Sequence, residues 1–186
     1  MNHAWRGFAP AALALSALTL LAGCGKVSEI ASERATEKMI EAQMNQGGGS
    51  AKVDLSKGGV TAEGTDEQGR AYKMEMGSAQ LGEKDIGLPF YPGAKPLENS
   101  GTRIRNGESH MMSLELHAGA GPKEVAAWYR EQMKPRGEGA MVVDSARDDG
   151  GLQLSIIDGK RKENVNVEVA ADGDGSRITL VHAVGQ

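Results

Sequence analysis

At 186 residues the chain has room for one ordinary domain plus a tail, and its formal charge is −4. An acidic chain without a dense basic stripe argues against nucleic acid as a partner and against electrostatic attraction to anionic lipid, since both rest on clustered cations. Twenty-six glycines and an aromatic content of 4% point to many turns and a modest core.

The first residues are the most specific stretch. Met1 to Arg6 is short and weakly positive, and Phe8 to Ala22 is apolar apart from Pro10, Ser16 and Thr19. A run of about 15 residues falls short of the roughly 20 that span a bilayer and fits the hydrophobic region of an export signal. It ends in Leu21-Ala22-Gly23-Cys24, which is similar to the lipobox of lipoprotein export. Small side chains at Ala22 and Gly23 let a peptidase reach the backbone, and the Cys24 thiol is the nucleophile that takes up diacylglycerol. The expectation is a signal peptide at 1–23, cleavage between Gly23 and Cys24, and lipid attachment, palmitate included, at Cys24. Residues 1–23 hold one arginine and no acid, so the remainder carries −5. Membrane attachment is therefore expected through lipid on Cys24, whose two or three acyl chains hold a protein stably. Cys24 is the single cysteine, so no intramolecular disulfide forms. Gly25, rather than the Asp of an inner-membrane retention signal, follows it; the expected location is the cell envelope, on the outer membrane facing the periplasm.

Residues 24–50 read as the lipidated N-terminus and a helical tether. The stretch 25–44 has helix-forming composition, but its apolar positions scatter. Glu29, Glu33, Glu37 and Glu41 make a like-charged row at i,i+4 spacing, a mildly destabilising arrangement. A solvated spacer helix is the favoured reading, and a helix that pairs with a partner is the alternative. Glycines 47–49 then mark a flexible break. Residues 51–87 read as a small β-meander, with alternating segments at 52–55, 59–62 and 70–76, followed by an exposed linker at 77–87.

From residue 88 to 186 the pattern sharpens. Pro92-Gly93 signals a turn, and Asn106-Gly107 joins strands at 102–105 and 109–117 as a hairpin. Pro122 suits a first helical position, Val125, Trp128, Tyr129, Gln132 and Met133 share one helical face, and Pro135 closes the helix. Four more strands follow at 140–147, 152–158, 164–171 and 177–184, with Asp-Gly turns between them and clean alternation of apolar residues. The order ββαββββ predicts an α+β fold, a mostly antiparallel sheet with one packed amphipathic helix, preceded by the spacer helix and the meander.

Pro89-Phe90-Tyr91-Pro92-Gly93-Ala94, the hairpin, and the helix from Val125 to Met133 resemble a group of bacterial lipoproteins of unassigned activity. These share a Tyr-Pro-Gly-Ala lead-in, a strand pair, and a helix ending in an aromatic-tyrosine pair and a Gly-Trp. The likeness covers roughly residues 51–186. It departs at Gly137-Glu138-Gly139, which has no tryptophan. The resemblance implies a fold and an address, and no activity.

Catalytic chemistry finds little support. No Gly-x-Ser-x-Gly elbow occurs, His110, His117 and His182 fall in predicted strands, and Cys24 is consumed by lipid. His110-Met111-Met112 and Met74-Glu75-Met76 suit Cu(I), although Met112 shares a face with Leu114 and Leu116 and reads as core. Asp172-Gly173-Asp174-Gly175 lacks the downstream glutamate of a calcium loop and reads as a turn. No catalytic residue, metal ligand set or cofactor is expected. Phe90, Tyr91, Trp128 and Tyr129 are the candidate ligand groove, with an ordinary core as the competing reading. The function expected is a non-enzymatic structural or interaction module with an envelope protein partner. The alternative is a periplasmic binder of a small ligand or copper.

Overall fold

The structure, a computed structural model, describes residues 25–47, 49–55 and 58–185. The expected signal peptide and Cys24 lie outside the described residues. No helix among those described is long and apolar enough to cross a membrane.

The fold is α+β, and its strands join one antiparallel sheet. Helix α1 (Gly25–Met44) and a 3-10 turn (Asn45–Gly47) lead into β1 (Ser50–Asp54), β2 (Val60–Thr65) and β3 (Ala71–Met76). A one-turn helix α2 (Glu83–Ile86) and a two-residue β4 (Lys95–Pro96) precede the hairpin β5 (Thr102–Asn106) and β6 (Ser109–Ala118). Helix α3 (Pro122–Gly137) follows, then β7 (Met141–Ala146), β8 (Leu152–Asp158), β9 (Glu163–Asp172) and β10 (Gly175–Val184). The spatial order is β1-β2-β3-β5-β6-β10-β9-β8-β7, with β4 beside the end of β6. Because β3 pairs β5, with Met74 opposite Ile104, the meander and the later strands form one hydrogen-bonded sheet.

Alternation sorts the two faces. Leu152, Leu154, Ile156, Val165, Val167, Val169, Ile178 and Leu180 are buried on the face that carries α3, as their two-residue spacing requires. The helix presents Val125, Ala126, Tyr129 and Met133 to them. This face is rotated from the expected one: Ala126 is buried, Trp128 is half-buried and Gln132 is exposed. The helix also runs through Pro135 to Gly137, because a proline in the last turn removes a single hydrogen bond near a frayed end.

The stretch 77–87 is packed, not the open linker its glycines suggest. Ile86 has no exposed surface, and Ala79 and Leu81 join the same core as Leu114 and Val125. Gly101 permits this approach, since a Cβ there would overlap the Ala79 carbonyl oxygen. Gly87, at φ 67°, supplies the left-handed residue that ends α2.

Helix α1 is likewise docked, not free. Glu37 Oε1 accepts the Leu55 N–H at 2.9 Å, Glu41 Oε1 accepts the Val53 N–H at 2.9 Å, and Asn45 Oδ1 accepts the Ala51 N–H. Four helical residues rise about 6 Å and two strand residues about 6.8 Å, so a row at i,i+4 spacing meets every second amide of an edge strand. Hydrogen bonds from Lys38 and then from the Val53 amide hold the Glu41 carboxyl below its usual range. Replacing both acids, Glu37→Ala with Glu41→Ala, is expected to leave the sheet folded and to speed hydrogen exchange at the Val53 and Leu55 amides roughly tenfold, the scale of one net hydrogen bond. Unchanged exchange at both amides counts against the clamp.

Candidate functional site

Three places on the molecule gather chemistry-bearing side chains. The first is the aromatic set. Tyr91 meets Trp128 edge-to-face at 5.5 Å, and Trp128 meets Tyr129 edge-to-face at 4.8 Å. Phe90 packs on the same core, and its N–H donates to Glu83 Oε1 at 2.7 Å. Tyr129 is fully buried; its hydroxyl donates to the Pro89 carbonyl at 3.2 Å and accepts the Tyr91 N–H at 3.3 Å. Burial pushes the Tyr129 phenol well above the usual tyrosine range. Tyr91 in turn donates to Glu124 Oε1 at 2.6 Å, which raises its own pKa. The four residues thus brace the 88–91 segment against α3, with Tyr129 filling the space between.

The second place is a charged belt on the face that carries α3, where that helix does not reach. The register aligns Lys73, Arg105 and His110 in one row, and Glu75, Arg103, Met112 and His182 in the next. Arg103 bridges Glu75 at 3.2 Å and Asp85 at 3.4 Å. Arg136, in the last turn of α3, donates to Glu163 at 2.6 Å and to the Gly87 carbonyl. His182 Nδ1 lies 2.8 Å from the Ile86 carbonyl, an acceptor only, so Nδ1 carries hydrogen. Its Nε2 lies 2.8 Å from Glu163 Oε1, close in distance but outside hydrogen-bond geometry. Arg136, through the Gly87 carbonyl, and His182, through the Ile86 carbonyl, therefore hold the end of α2 onto the sheet.

This arrangement separates the methionine and histidine positions. His110 and Met112 share the face that carries α3, whereas Met111 lies in one row with Ile104 and Met74 on the opposite face. Among the described residues, no group of three His, Cys, Asp or Glu side chains is arranged to hold a metal ion.

The third place is the sheet edge at β7. All six of its residues are exposed, with Met141 58%, Val142 47% and Val143 49% accessible, and the neighbouring Ile157 38%. Beneath it, between α3 and the sheet, runs an open groove of ≈ 440 Å³ lined by Met133, Lys134, Val142, Asp144, Leu154 and Ile156. Arg130 clamps Asp144 from above through Nε at 2.8 Å and Nη2 at 2.9 Å. The sequence mark here is ambiguous: Ala140-Met141-Val142-Val143 breaks the apolar alternation of the other strands, as a fully buried central strand would also do. The belt left a weaker mark, the polar His182 in the apolar row of Ile178, Leu180 and Val184.

No family model, curated protein or solved structure matches this chain.

Tyr129→Phe is expected to cost about 1–3 kcal/mol, because it leaves the Pro89 carbonyl and the Tyr91 amide unpaired beneath the lead-in. Trp128→Ala should cost less than the roughly 3–5 kcal/mol of a fully enclosed tryptophan. A denaturation midpoint unmoved by Tyr129→Phe would contradict the brace.

Two carboxyls tie down the turns at either end of β8. Backbone N–H groups of Ala171 and Gly151 hold Asp149 below the usual carboxylate range, and those of Arg161 and Lys160 do the same for Asp158. A carboxyl depressed in the folded chain stabilises it above the ordinary value near about 4 and loses that contribution as the pH falls through its folded value. Asp149→Asn with Asp158→Asn should therefore flatten the loss of stability between about pH 4 and pH 2. Identical acid-unfolding profiles would remove these groups as its cause.

Proposed function

We propose that the chain is a lipid-anchored bacterial envelope protein whose sheet-and-helix unit is a non-enzymatic interaction module. The observation that carries the module reading is the open β7 edge with its apolar groove, since an exposed edge strand is a template for pairing with another chain. The anchor rests on Leu21-Ala22-Gly23-Cys24 and the short apolar run before it. The likeness to lipoproteins with a Tyr-Pro-Gly-Ala lead-in supports the same address, and Gly25 after the cysteine supports the outer membrane, facing the periplasm. In the charged belt, Arg136, His182 and Arg103 make contacts to α2 and its C-cap, which supports a structural use of those three side chains.

Cys24→Ser tests the anchor. Unprocessed precursor should accumulate, and the parent protein should float with outer-membrane vesicles and carry acyl chains on its N-terminal residue by mass spectrometry. A normally cleaved, soluble Cys24→Ser protein, or a parent protein found with inner-membrane markers, refutes the corresponding part of the proposal.

A further inference from the structure

The two edges of the sheet are treated differently. At β1 the amides of residues 53 and 55 are taken by side chains of α1, and that of residue 51 by Asn45 in the 3-10 turn after it. At β7 no lysine, proline or bulge guards the strand, and the one charge in it, Asp144, is neutralised by Arg130. The Arg147 N–H donates to the Gly151 carbonyl at 3.2 Å. In an antiparallel ladder this alternation turns the main-chain groups of Ser145, Val143 and Met141 toward β8, and those of Val142, Asp144 and Ala146 toward the free edge.

We propose that β7 pairs antiparallel with β7 of a second copy of this chain, across a two-fold axis at Val142. The proposal deepens the interaction-module reading, on which it rests, by naming the partner. Three things select a second copy. First, the exposed residues are self-complementary: the axis at Val142 sets Val142 against Val142 and Met141 against Val143, so the three large apolar side chains meet one another and Asp144 falls opposite the small Ala140. Moving the axis to Val143 would set Asp144 against Val142, and moving it to Asp144 would oppose two carboxylates. Second, Val142 is one of the residues whose N–H and C=O face outward, so the same register forms a hydrogen-bonded pair at its centre. Third, the area fits a pair of modest strength. Val142 on the face that carries α3, and Met141, Val143 and Ile157 on the other, leave roughly 300–400 Å² of apolar surface along the two sides of this edge. Mirrored across the axis, it stays below the roughly 1,200 Å² of a standard stable complex, so the association is reversible.

The full chain carrying Val142→Cys, mildly oxidised in cells and after purification, tests the register. Opposed residues at the axis lie about 5.5 Å apart, within disulfide reach. The same residues at position 146 would be about 27 Å apart. The unsubstituted chain, with Cys24 alone, is the control for crosslinking through that thiol. A disulfide dimer formed by Val142→Cys and not by Ala146→Cys is the expected result. Equal crosslinking at the two positions, no dimer, or a product of another mass formed with a foreign protein overturns the proposal. Sedimentation of the unsubstituted chain gives a second readout free of any variant: purely monomeric behaviour up to about 1 mM would also overturn it. Neither measurement depends on acylation, so a failure here is separable from a failure of the Cys24 anchor.

Discussion

A sheet that does not close on itself leaves two edge strands, and each carries a row of main-chain donors and acceptors that must be paired, covered or left to water. Here nine strands lie in line, so the two edges are eight spacings, about 38 Å, apart and cannot share one solution. The β1 edge is covered from within the chain. The carboxylates of Glu37 and Glu41 and the amide of Asn45 replace the neighbouring strand that β1 lacks. Among the described residues the β7 edge has no such cover, and Met141, Val142 and Val143 are exposed along it. This asymmetry makes β7 the surface of interest.

The same width explains the charged belt. A helix is about 10–12 Å across with its side chains, and α3 contacts β8, β9 and β10. It cannot also cover β3, β5 and β6. Part of the remaining face is filled by the 79–91 segment, with Ile86 and Leu88 buried and the aromatic brace holding its end. Beyond their reach the sheet turns polar: Arg103 bridges Glu75 and Asp85, Arg136 bridges Glu163, and His182 meets the Ile86 carbonyl at that boundary. Apolar burial and charge pairing thus divide a single face between them, and α2 sits where they meet.

Local pattern made much of this fold legible. Asn106-Gly107 and the alternation in β8, β9 and β10 define those strands, because a half-buried strand imposes a period of two that the residues must obey. Three features were hidden for physical reasons. The packed state of 77–87 depends on Ile86 finding a pocket formed by residues far along the chain, and glycines that permit close approach look the same as glycines that permit flexibility. The α3 face differs from the one that apolar periodicity predicts because Ala126, too small to raise an apolar signal, is buried, while Trp128 sits at the margin with one side covered by Tyr91. The exposure of β7 cannot be read from composition, since Met-Val-Val suits a central strand equally well; strand order alone puts it at the edge.

The acidic row on α1 shows how a long-range partner reverses a local judgement. Considered alone, Glu37 and Glu41 repel each other across one helical turn, an effect of a few tenths of a kcal/mol. Set against an edge strand, each carboxylate accepts an amide hydrogen bond that is charge-assisted, a stronger interaction than the repulsion it offsets. The helix runs antiparallel to β1, so the turns before Glu37 continue past Leu55, where the strand has ended. In the proposed anchored form this helix begins one residue after the lipidated cysteine. A docked helix is not a leash: it fixes the direction of the strands relative to the attachment point. It also puts α1 at the β1 edge of the sheet, with β7 at the opposite edge.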